Sequence, residues 1–214
     1  MLESELSEAL LRLAEVRPVF YTESDFRHAF AWQLHLILPD TPIRFELPLH
    51  GLDVGSRLDL VVRWRGKTVA FEFKYCVKEL LCSVVGEDYA LPKSNSRWLA
   101  RHDMCKDIWR LEHAIGTRQA DVAYSLALSN DPLLWTDSEP ADMAADFRIH
   151  EGRSLSGPLR WRGATYEQRR GREKPLDLYG DYLLRWREYS NLPTPNGEFR
   201  LLVVPVTKGP KNGW

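Results

Sequence analysis

The first forty residues carry hydrophobic side chains at the three- and four-residue spacing of helices. This spacing predicts one helix over residues 2–16 and a second from Glu23 to about Leu38. Thr22 and Asp25, three positions apart, resemble a capping box, in which side chains bond to the backbone at the start of a helix. The apolar stripes consist of Leu2, Leu6, Leu10 and Leu13 in the first helix and Phe26, Phe30 and Leu34 in the second.

The following segments alternate between hydrophobic and polar residues, which is the period of strands. We expect strands over 43–49, 57–64 and 67–75, with a turn at Arg65-Gly66 between the last two. The side chains expected on a common face are Leu58, Leu60, Val62 and Trp64 in one strand and Val69, Phe71 and Phe73 in the other.

The second half of the chain predicts fewer regular elements. A polar, irregular stretch over 86–97 precedes a helix over 97–115, and strands are expected over 121–128 and 199–206. Residues 141–174 are mixed and rich in Gly and Arg, and 175–190 are predicted to be helical, with Pro at an acceptable first-turn position. Helices, three strands, a helix and a further strand predict a mixed α/β sandwich.

The composition indicates a folded protein and leaves its partners open. The 214 residues suit a single domain, and a hydrophobic content of 44% excludes wholesale disorder. The formal net charge of −1 lacks the basic excess of many nucleic-acid-binding proteins. Because no apolar run reaches about 18 residues and the start of the chain lacks a basic leader, we expect a cytoplasmic protein without membrane contact. The three cysteines do not have zinc-ligand spacing.

The most informative pattern lies in the hairpin of the second and third strands. If the hairpin centre is at Arg65-Gly66, paired positions sum to 131, so Asp59 faces Glu72 across the ladder. Lys74 lies two residues after Glu72 and therefore shares its face. Facing carboxylates repel each other, and a divalent cation relieves the repulsion. Hard oxygen ligands without thiolates favour Mg²⁺ or Mn²⁺. The alternative interpretation is a surface hairpin whose acidic pair is neutralised by Lys74.

The order of these elements resembles the PD-(D/E)XK nuclease superfamily, in a branch of prokaryotic type. The resemblance covers residues 20–130, and Leu58 stands where the motif has Pro. It implies a restriction-endonuclease-like αβββαβ core with a mixed central sheet flanked by helices. Residues 1–214 would form one nuclease-like domain, with a core over about 20–130 and a C-terminal extension over about 131–214.

The resemblance also assigns roles to individual residues. Asp59, Glu72 and Lys74 would be catalytic, and the metal ligands would be Asp59, Glu72 and the backbone carbonyl of Phe73. Glu23, at the start of the second helix, would contact the metal through water. A first-turn role for Glu23 in the helix dipole is the alternative.

Two other charged groups have open interpretations. Asp103, Asp107 and Arg110 recur along one face of the helix after the hairpin, either beside the site or as a solvated face with ordinary ion pairs, which we favour. Residues 148–174 hold eight basic and three acidic residues after an acidic segment over 125–147. This basic stretch is either a solvated loop or a nucleic-acid contact. The contact residues would be Arg169, Arg170, Arg172, Lys174 and Trp161.

The sequence therefore predicts a Mg²⁺- or Mn²⁺-dependent phosphodiesterase that cleaves DNA, endonucleolytically. RNA or a nucleotide second messenger is an alternative substrate, because the predicted triplet attacks a phosphodiester whatever the sugar. A catalytically silent DNA-binding or scaffold subunit is the alternative from another class. Many enzymes of this superfamily that cut both strands dimerise, so a homodimer is a further expectation.

Overall fold

A computed structural model describes residues 2–92, 96–138 and 142–210, and it shows a mixed α/β protein. A central sheet of six strands is flanked by helices. The elements in chain order are α1 (Leu2–Val16), α2 (Glu23–Ile37), β1 (Ile43–Pro48), β2 (Arg57–Trp64), β3 (Lys67–Cys76), β4 (Leu80–Val84), β5 (Glu87–Leu91), α3 (Arg97–Gly116), β6 (Val122–Ser129), α4 (Pro132–Trp135), β7 (Ser154–Leu159), α5 (Tyr166–Arg169), β8 (Leu176–Leu183), β9 (Trp186–Asn191) and β10 (Glu198–Val206).

The sheet has the strand order β1-β2-β3-β6-β10-β9. Strands β3 and β6 are parallel, and the other neighbours are antiparallel. A parallel pair needs a crossover, which is supplied here by the β4–β5 hairpin and α3. Small separate sheets are formed by β4 with β5 and by β7 with β8.

Two hydrophobic clusters cover the two faces of the central sheet. On one face α1 and α2 pack against side chains of β2, β3 and β6, and the ring of Phe30 lies 5.3 Å from that of Phe71 and 5.4 Å from that of Phe73. On the other face α3 packs together with β7 and β8. The predicted stripe of Phe26, Phe30 and Leu34 in α2 is confirmed, and so is the helix predicted over 97–115. Among the described helices, none has the length and apolarity needed to cross a membrane.

The helix predicted over 175–190 is wrong, because these residues form β8 and β9. Burial in β8 alternates, with Leu176, Leu178 and Tyr182 inside, so the hydrophobic period is two and not 3.6. Glu112 of α3 fixes this strand. Its carboxylate accepts hydrogen bonds from the backbone N–H groups of Tyr179 and Gly180 and from the Tyr182 hydroxyl.

The β4–β5 hairpin lies partly in the stretch predicted to be irregular. Its turn is Val85-Gly86, where both residues have positive φ, at 54° and 77°, as a two-residue hairpin turn of this type requires. Tyr89 of β5 stacks on Tyr21, with ring centroids 4.4 Å apart, and this contact fixes the hairpin beside the start of α2. Residues 93–95 of the predicted irregular stretch lie outside the described residues, as does Glu139 of the acidic segment.

The hairpin register is confirmed from Leu60–Phe71 to Trp64–Lys67, but the ladder ends before Asp59. The β1–β2 ladder likewise passes from Phe45–Leu60 to Leu47–Leu58, and the skipped residue Glu46 has a left-handed φ of 54°. The prediction that Leu58 shares a face with Leu60 is wrong. Leu58 packs in the cluster on the α3 side, since this irregularity breaks the alternation at Asp59.

Candidate active site

Asp59 lies where β2 leaves the regular ladder, and its carboxylate holds the neighbouring strand. Oδ2 accepts a hydrogen bond of 2.9 Å from the backbone N–H of Phe73, in place of a ladder bond. Oδ1 accepts one of 3.0 Å from Arg27 of α2. Arg27 also forms an ion pair of 2.5 Å with Glu46, the residue skipped in the β1–β2 ladder. Asp59 is therefore fixed from both β3 and α2.

Glu72 is the buried carboxylate of the cluster, with 1% of its surface exposed. Both oxygens face Arg110 of α3, at 3.2 Å from Nη2 to Oε1 and 3.3 Å from Nη1 to Oε2. Burial, followed by the charge of Asp107, raises the pKa of Glu72 well above its ordinary value, and the Arg110 charge opposes this shift.

Lys74 joins the two sides of the cluster. Its ammonium lies 3.1 Å from Oδ2 of Asp107 in α3 and 3.6 Å from Oε1 of Glu23 in α2. It also donates a hydrogen bond of 3.2 Å to the backbone carbonyl of Phe73. Burial would lower the pKa of Lys74, but the surrounding carboxylates, led by Asp107, outweigh it and raise the pKa. Lys74 is therefore a cation at neutral pH.

Asp107 and Arg110 bring α3 into the site. Asp107 is 3% exposed, so the interpretation of this helix face as solvated is wrong for Asp107. Burial raises the pKa of Asp107 to about 6, while the charges of Lys74 and Arg110 act in the opposite direction. Arg110 lies 3.6 Å from Asp107 and also donates to the backbone carbonyl of Arg57. The carboxylates of Asp59, Glu72 and Asp107 are thus paired with three cations, which are Arg27, Lys74 and Arg110.

Glu23 is the first residue of α2, and its carboxylate reaches across to β3. Thr22 caps the helix by accepting a hydrogen bond from the Asp25 N–H, which confirms that half of the predicted capping box. Glu23 Oε2 accepts a bond of 3.0 Å from the backbone N–H of Tyr75, and Oε1 faces Lys74. Glu23 therefore stands on the α2 side of Lys74, opposite Asp107.

The donor chemistry of the cluster fits a hard divalent cation. Asp59 and Glu72 offer carboxylate oxygens from adjacent strands, and burial of Glu72 beside two other carboxylates leaves a charge repulsion that a cation relieves. Within the described residues, however, no group of three or more His, Cys, Asp or Glu side chains has the arrangement of a metal site. Arg27 and Arg110 are the present partners of Asp59 and Glu72. A cation bound by both carboxylates would take over part of this role.

The residues predicted to bind nucleic acid fall into two groups. Arg172 and Trp161 already have partners, since the Arg172 guanidinium makes bonds of 2.7 and 2.6 Å to Asp103 and the Trp161 indole N–H donates to the Arg172 carbonyl. Trp161 also stacks on His102, with ring centroids 5.6 Å apart. The second group is Arg169, Arg170 and Lys174; Arg170 and Lys174 are exposed and Arg169 is partly buried.

Arg27 is the site residue that the sequence analysis missed. It lies one helical turn after Glu23 on α2, so it shares the face of that helix that meets the hairpin. The i, i+4 spacing of Glu23 and Arg27 was the sequence signal from which Arg27 could have been assigned to the site. An arginine on a helix face gives no indication of its acidic partner until the register of β1 and β2 is known.

We compared the chain with models of protein families, with curated proteins and with solved structures, and none of these comparisons gave a match.

Proposed function

We propose that this protein is a Mg²⁺-dependent nuclease that hydrolyses phosphodiester bonds of DNA by endonucleolytic cleavage. The observation that carries the proposal is the convergence of Asp59, Glu72 and Lys74 at one edge of the β2–β3 hairpin. Glu72 is buried there, and the ammonium of Lys74 contacts the backbone carbonyl of Phe73. The order of the elements around this site supports the proposal through its resemblance to PD-(D/E)XK nucleases.

The residues of the chain would divide the chemistry among them. Asp59 and Glu72, with the carbonyl of Phe73 and with Glu23 acting through water, would hold a divalent cation. When bound, such a cation supplies a Lewis acid for the phosphate and lowers the pKa of water. Because its pKa is raised, Lys74 is suited to stabilise negative charge on the attacked phosphate and to orient the water as a hydrogen-bond donor, and poorly suited to be a general base.

Cleavage of supercoiled plasmid DNA with and without Mg²⁺ tests the proposal. We expect wild type to nick or linearise the plasmid only with the metal, and Asp59→Asn, Glu72→Gln and Lys74→Met to lose at least about a hundredfold in rate. Asp177→Asn is a matched control, because this aspartate lies on the exposed face of β8. Equal rates in all five proteins would reject the proposal. Cleavage of RNA but not of DNA would reject the substrate.

A second candidate function is a catalytically silent nuclease-fold subunit that binds DNA or serves as a scaffold. The observation that favours it is the pairing of Glu72 with Arg110 and of Asp59 with Arg27, which neutralises both carboxylates. Thermal unfolding distinguishes the two candidates. A nuclease with a metal site gains melting temperature with Mg²⁺ or Mn²⁺, whereas the silent subunit shows no metal-linked gain.

A further inference from the structure

A cavity of about 490 Å³ lies between α3, the β1–β2 loop and the basic loop over 170–175 that precedes β8. Its volume is in the range of sites that hold small ligands. Helix α3 contributes His102 and Lys106, one turn apart, and the basic loop contributes Arg172 and Lys174. None of the residues proposed for catalysis or for metal binding is among the described residues that line it.

His102 is a buried side chain of this wall with one ring nitrogen left over. Only 1% of its surface is exposed, and its ring lies 5.6 Å from that of Trp161 and 4.9 Å from that of Phe147. Nδ1 lies 3.2 Å from Oδ1 of Asp103, so the neutral ring carries its proton there and Nε2 is an acceptor. Among the described residues, Nε2 has no hydrogen-bond partner. A buried polar atom without a partner costs free energy, and a ligand in the cavity would supply that partner.

The walls of the cavity are held in place by the fold. The Arg172 guanidinium makes bonds of 2.7 and 2.6 Å to the carboxylate of Asp103, and the Arg172 carbonyl accepts a bond of 2.9 Å from the indole N–H of Trp161. The β1–β2 loop is held to α3 by a contact of 2.9 Å between Nε2 of His113 and the carbonyl of His50. Because these walls are fixed before a ligand enters, binding requires little ordering of the chain.

Lys106 supplies the positive charge that an anion needs. It is partly exposed and, in the part of the chain that the structure describes, makes no hydrogen bond or ion pair. Lys174 lies 3.6 Å from Asp53, but both side chains are 85% exposed, so this ion pair is weak and its ammonium is available to an anion. The other carboxylate of the wall, Glu173, accepts a hydrogen bond from the Gly171 N–H. The cavity therefore favours an anionic ligand.

A phosphate monoester with an apolar body matches these groups. Its oxygens accept hydrogen bonds from the ammonium of Lys106. Its second pKa is about 6, so it exchanges a proton near neutral pH, and one hydrogen bond joins it to Nε2 of His102 whichever of the two holds that proton. A carboxylate, which is ionised at neutral pH, brings no such proton. Leu52, Pro175 and Leu176 offer apolar surface to the rest of the ligand.

We propose that this cavity binds a nucleoside monophosphate, with its phosphate on Lys106 and on Nε2 of His102 and with its sugar and base on the apolar wall. The inference goes beyond the proposed nuclease function, because the site needs neither the metal nor a strand that is cut. The same phosphate monoester occurs at the phosphorylated end of a DNA strand, so the experiment includes both sources.

Isothermal titration calorimetry with thymidine monophosphate, in EDTA, tests the site. We expect the nucleotide to bind and thymidine to bind at least about tenfold more weakly. Lys106→Gln and His102→Asn should each weaken nucleotide binding about tenfold, because Asn retains a donor toward Asp103 but has no atom at the position of Nε2. His102→Gln, whose longer amide reaches toward that position, should retain more affinity than His102→Asn. If a short terminally phosphorylated strand displaces the nucleotide and the unphosphorylated strand does not, the site is supported and a strand end is its source of phosphate.

Lys67→Gln, at the far end of β3, is the matched control for the loss of a charge. Because Lys106 also lines the cavity beside Asp59, Arg57→Gln distinguishes the two cavities, since Arg57 lines only the one beside Asp59. Both variants should bind the nucleotide as wild type does. If His102→Asn melts early, Lys106→Gln and Arg57→Gln still decide, since both side chains lie at the surface.

Three results would overturn the proposal: no binding of the nucleotide by wild type, equal binding of thymidine, or wild-type affinity in Lys106→Gln. A loss in Arg57→Gln that equals the loss in Lys106→Gln would also overturn it, because the nucleotide would then lie in the other cavity. Plasmid cleavage is measured separately and with Mg²⁺, so the nucleotide site and the nuclease function can each fail while the other stands.

Discussion

The ammonium of Lys74 lies 3.1 Å from Oδ2 of Asp107, so a lysine of β3 is held by a buried carboxylate of α3. Asp107 does not belong to the D…E-x-K pattern, yet it fixes the orientation of the lysine in that pattern. Glu23 contributes a weaker contact of 3.6 Å from the opposite side. The position of Lys74 therefore depends on the packing of α3 against the sheet.

Asp107→Asn should lower DNA cleavage about 10- to 100-fold, because the variant keeps the shape of the side chain but no longer holds the ammonium by charge. The loss should fall on kcat more than on KM, since Asp107 is buried and acts through Lys74. Steady-state cleavage of a fluorogenic oligonucleotide measures both constants, with Asp177→Asn as control. A loss confined to KM would place Asp107 in substrate binding.

Arg110→Met should destabilise the fold by about 3 kcal/mol, because it leaves the carboxylates of Glu72 and Asp107 buried together without their shared cation. The double variant Glu72→Gln/Arg110→Met should recover most of this loss. Urea unfolding of the single and double variants measures the coupling energy.

The Arg110→Met variant also tests whether Glu72 is a ligand of the metal. If Glu72 is a ligand, Mg²⁺ should restore part of the stability that Arg110→Met loses, and it should do so less in the double variant. An identical response to Mg²⁺ in both variants would remove Glu72 from the proposed metal site.

Arg170→Gln and Arg172→Gln should affect different properties: the first should change DNA binding and the second should change stability. Arg172 makes a bidentate pair with Asp103 and joins the basic loop to α3, so its loss should lower stability by about 1 kcal/mol. Arg170 is exposed, so its replacement should leave the melting temperature unchanged and reduce the salt slope of DNA binding. Thermal melts and anisotropy titrations over a range of salt separate the effects. An unchanged salt slope in Arg170→Gln would remove it from the DNA contact.

The Asp103–Arg172 pair should also make stability depend on pH. Burial alone would raise the pKa of Asp103, but its hydrogen bonds with Arg172 and His102 outweigh burial and lower this pKa to about 2 from 3.8. A carboxylate with a lowered folded-state pKa stabilises the fold above its unfolded pKa. This contribution, at most about 2 kcal/mol, should be lost as the pH falls from about 5 to 2.

Urea unfolding of wild type and Asp103→Asn between pH 2 and 7 checks this dependence. The two proteins should differ by a constant amount above about pH 5 and converge near pH 2. A difference that persists undiminished at pH 2 would mean that packing, and not the ionised pair, accounts for the contribution of Asp103.

The hydrophobic pattern predicted the elements whose burial is one-sided and regular. The stripe of Phe26, Phe30 and Leu34 gave α2, and the hairpin turn at Arg65-Gly66 gave the register that brings Asp59 toward Glu72. It failed over 175–190, where the two-residue period of β8 was taken for part of a helix and the carboxylate of Glu112 accepts hydrogen bonds from the backbone of that strand. Such a bond joins residues 67 and 68 positions apart and leaves no mark in the local periodicity.

In the candidate site, too, the residues related by local spacing could be predicted and those brought in by helix packing could not. Asp59, Glu72 and Lys74 could be predicted because they lie on one hairpin, where sequence spacing converts directly into geometry. Arg27 and Asp107 reach the cluster from helices on opposite faces of the sheet, and their contacts depend on how those helices pack. Arg172 was predicted as a phosphate contact, but its side chain lies on Asp103, a partner 69 residues away.

Strand β10 pairs with β6 on one side and with β9 on the other. During synthesis the chain emerges from its amino end, so the hairpin, α3 and β6 leave the ribosome long before residues 198–206 do. Until then the β6 edge lacks its partner and β9 has no place in the sheet, which leaves unpaired strand edges of the kind that aggregate. Strand β10, which is made after both of its neighbours, thus completes the described sheet, and yield in the cell should depend on how long that edge is left open.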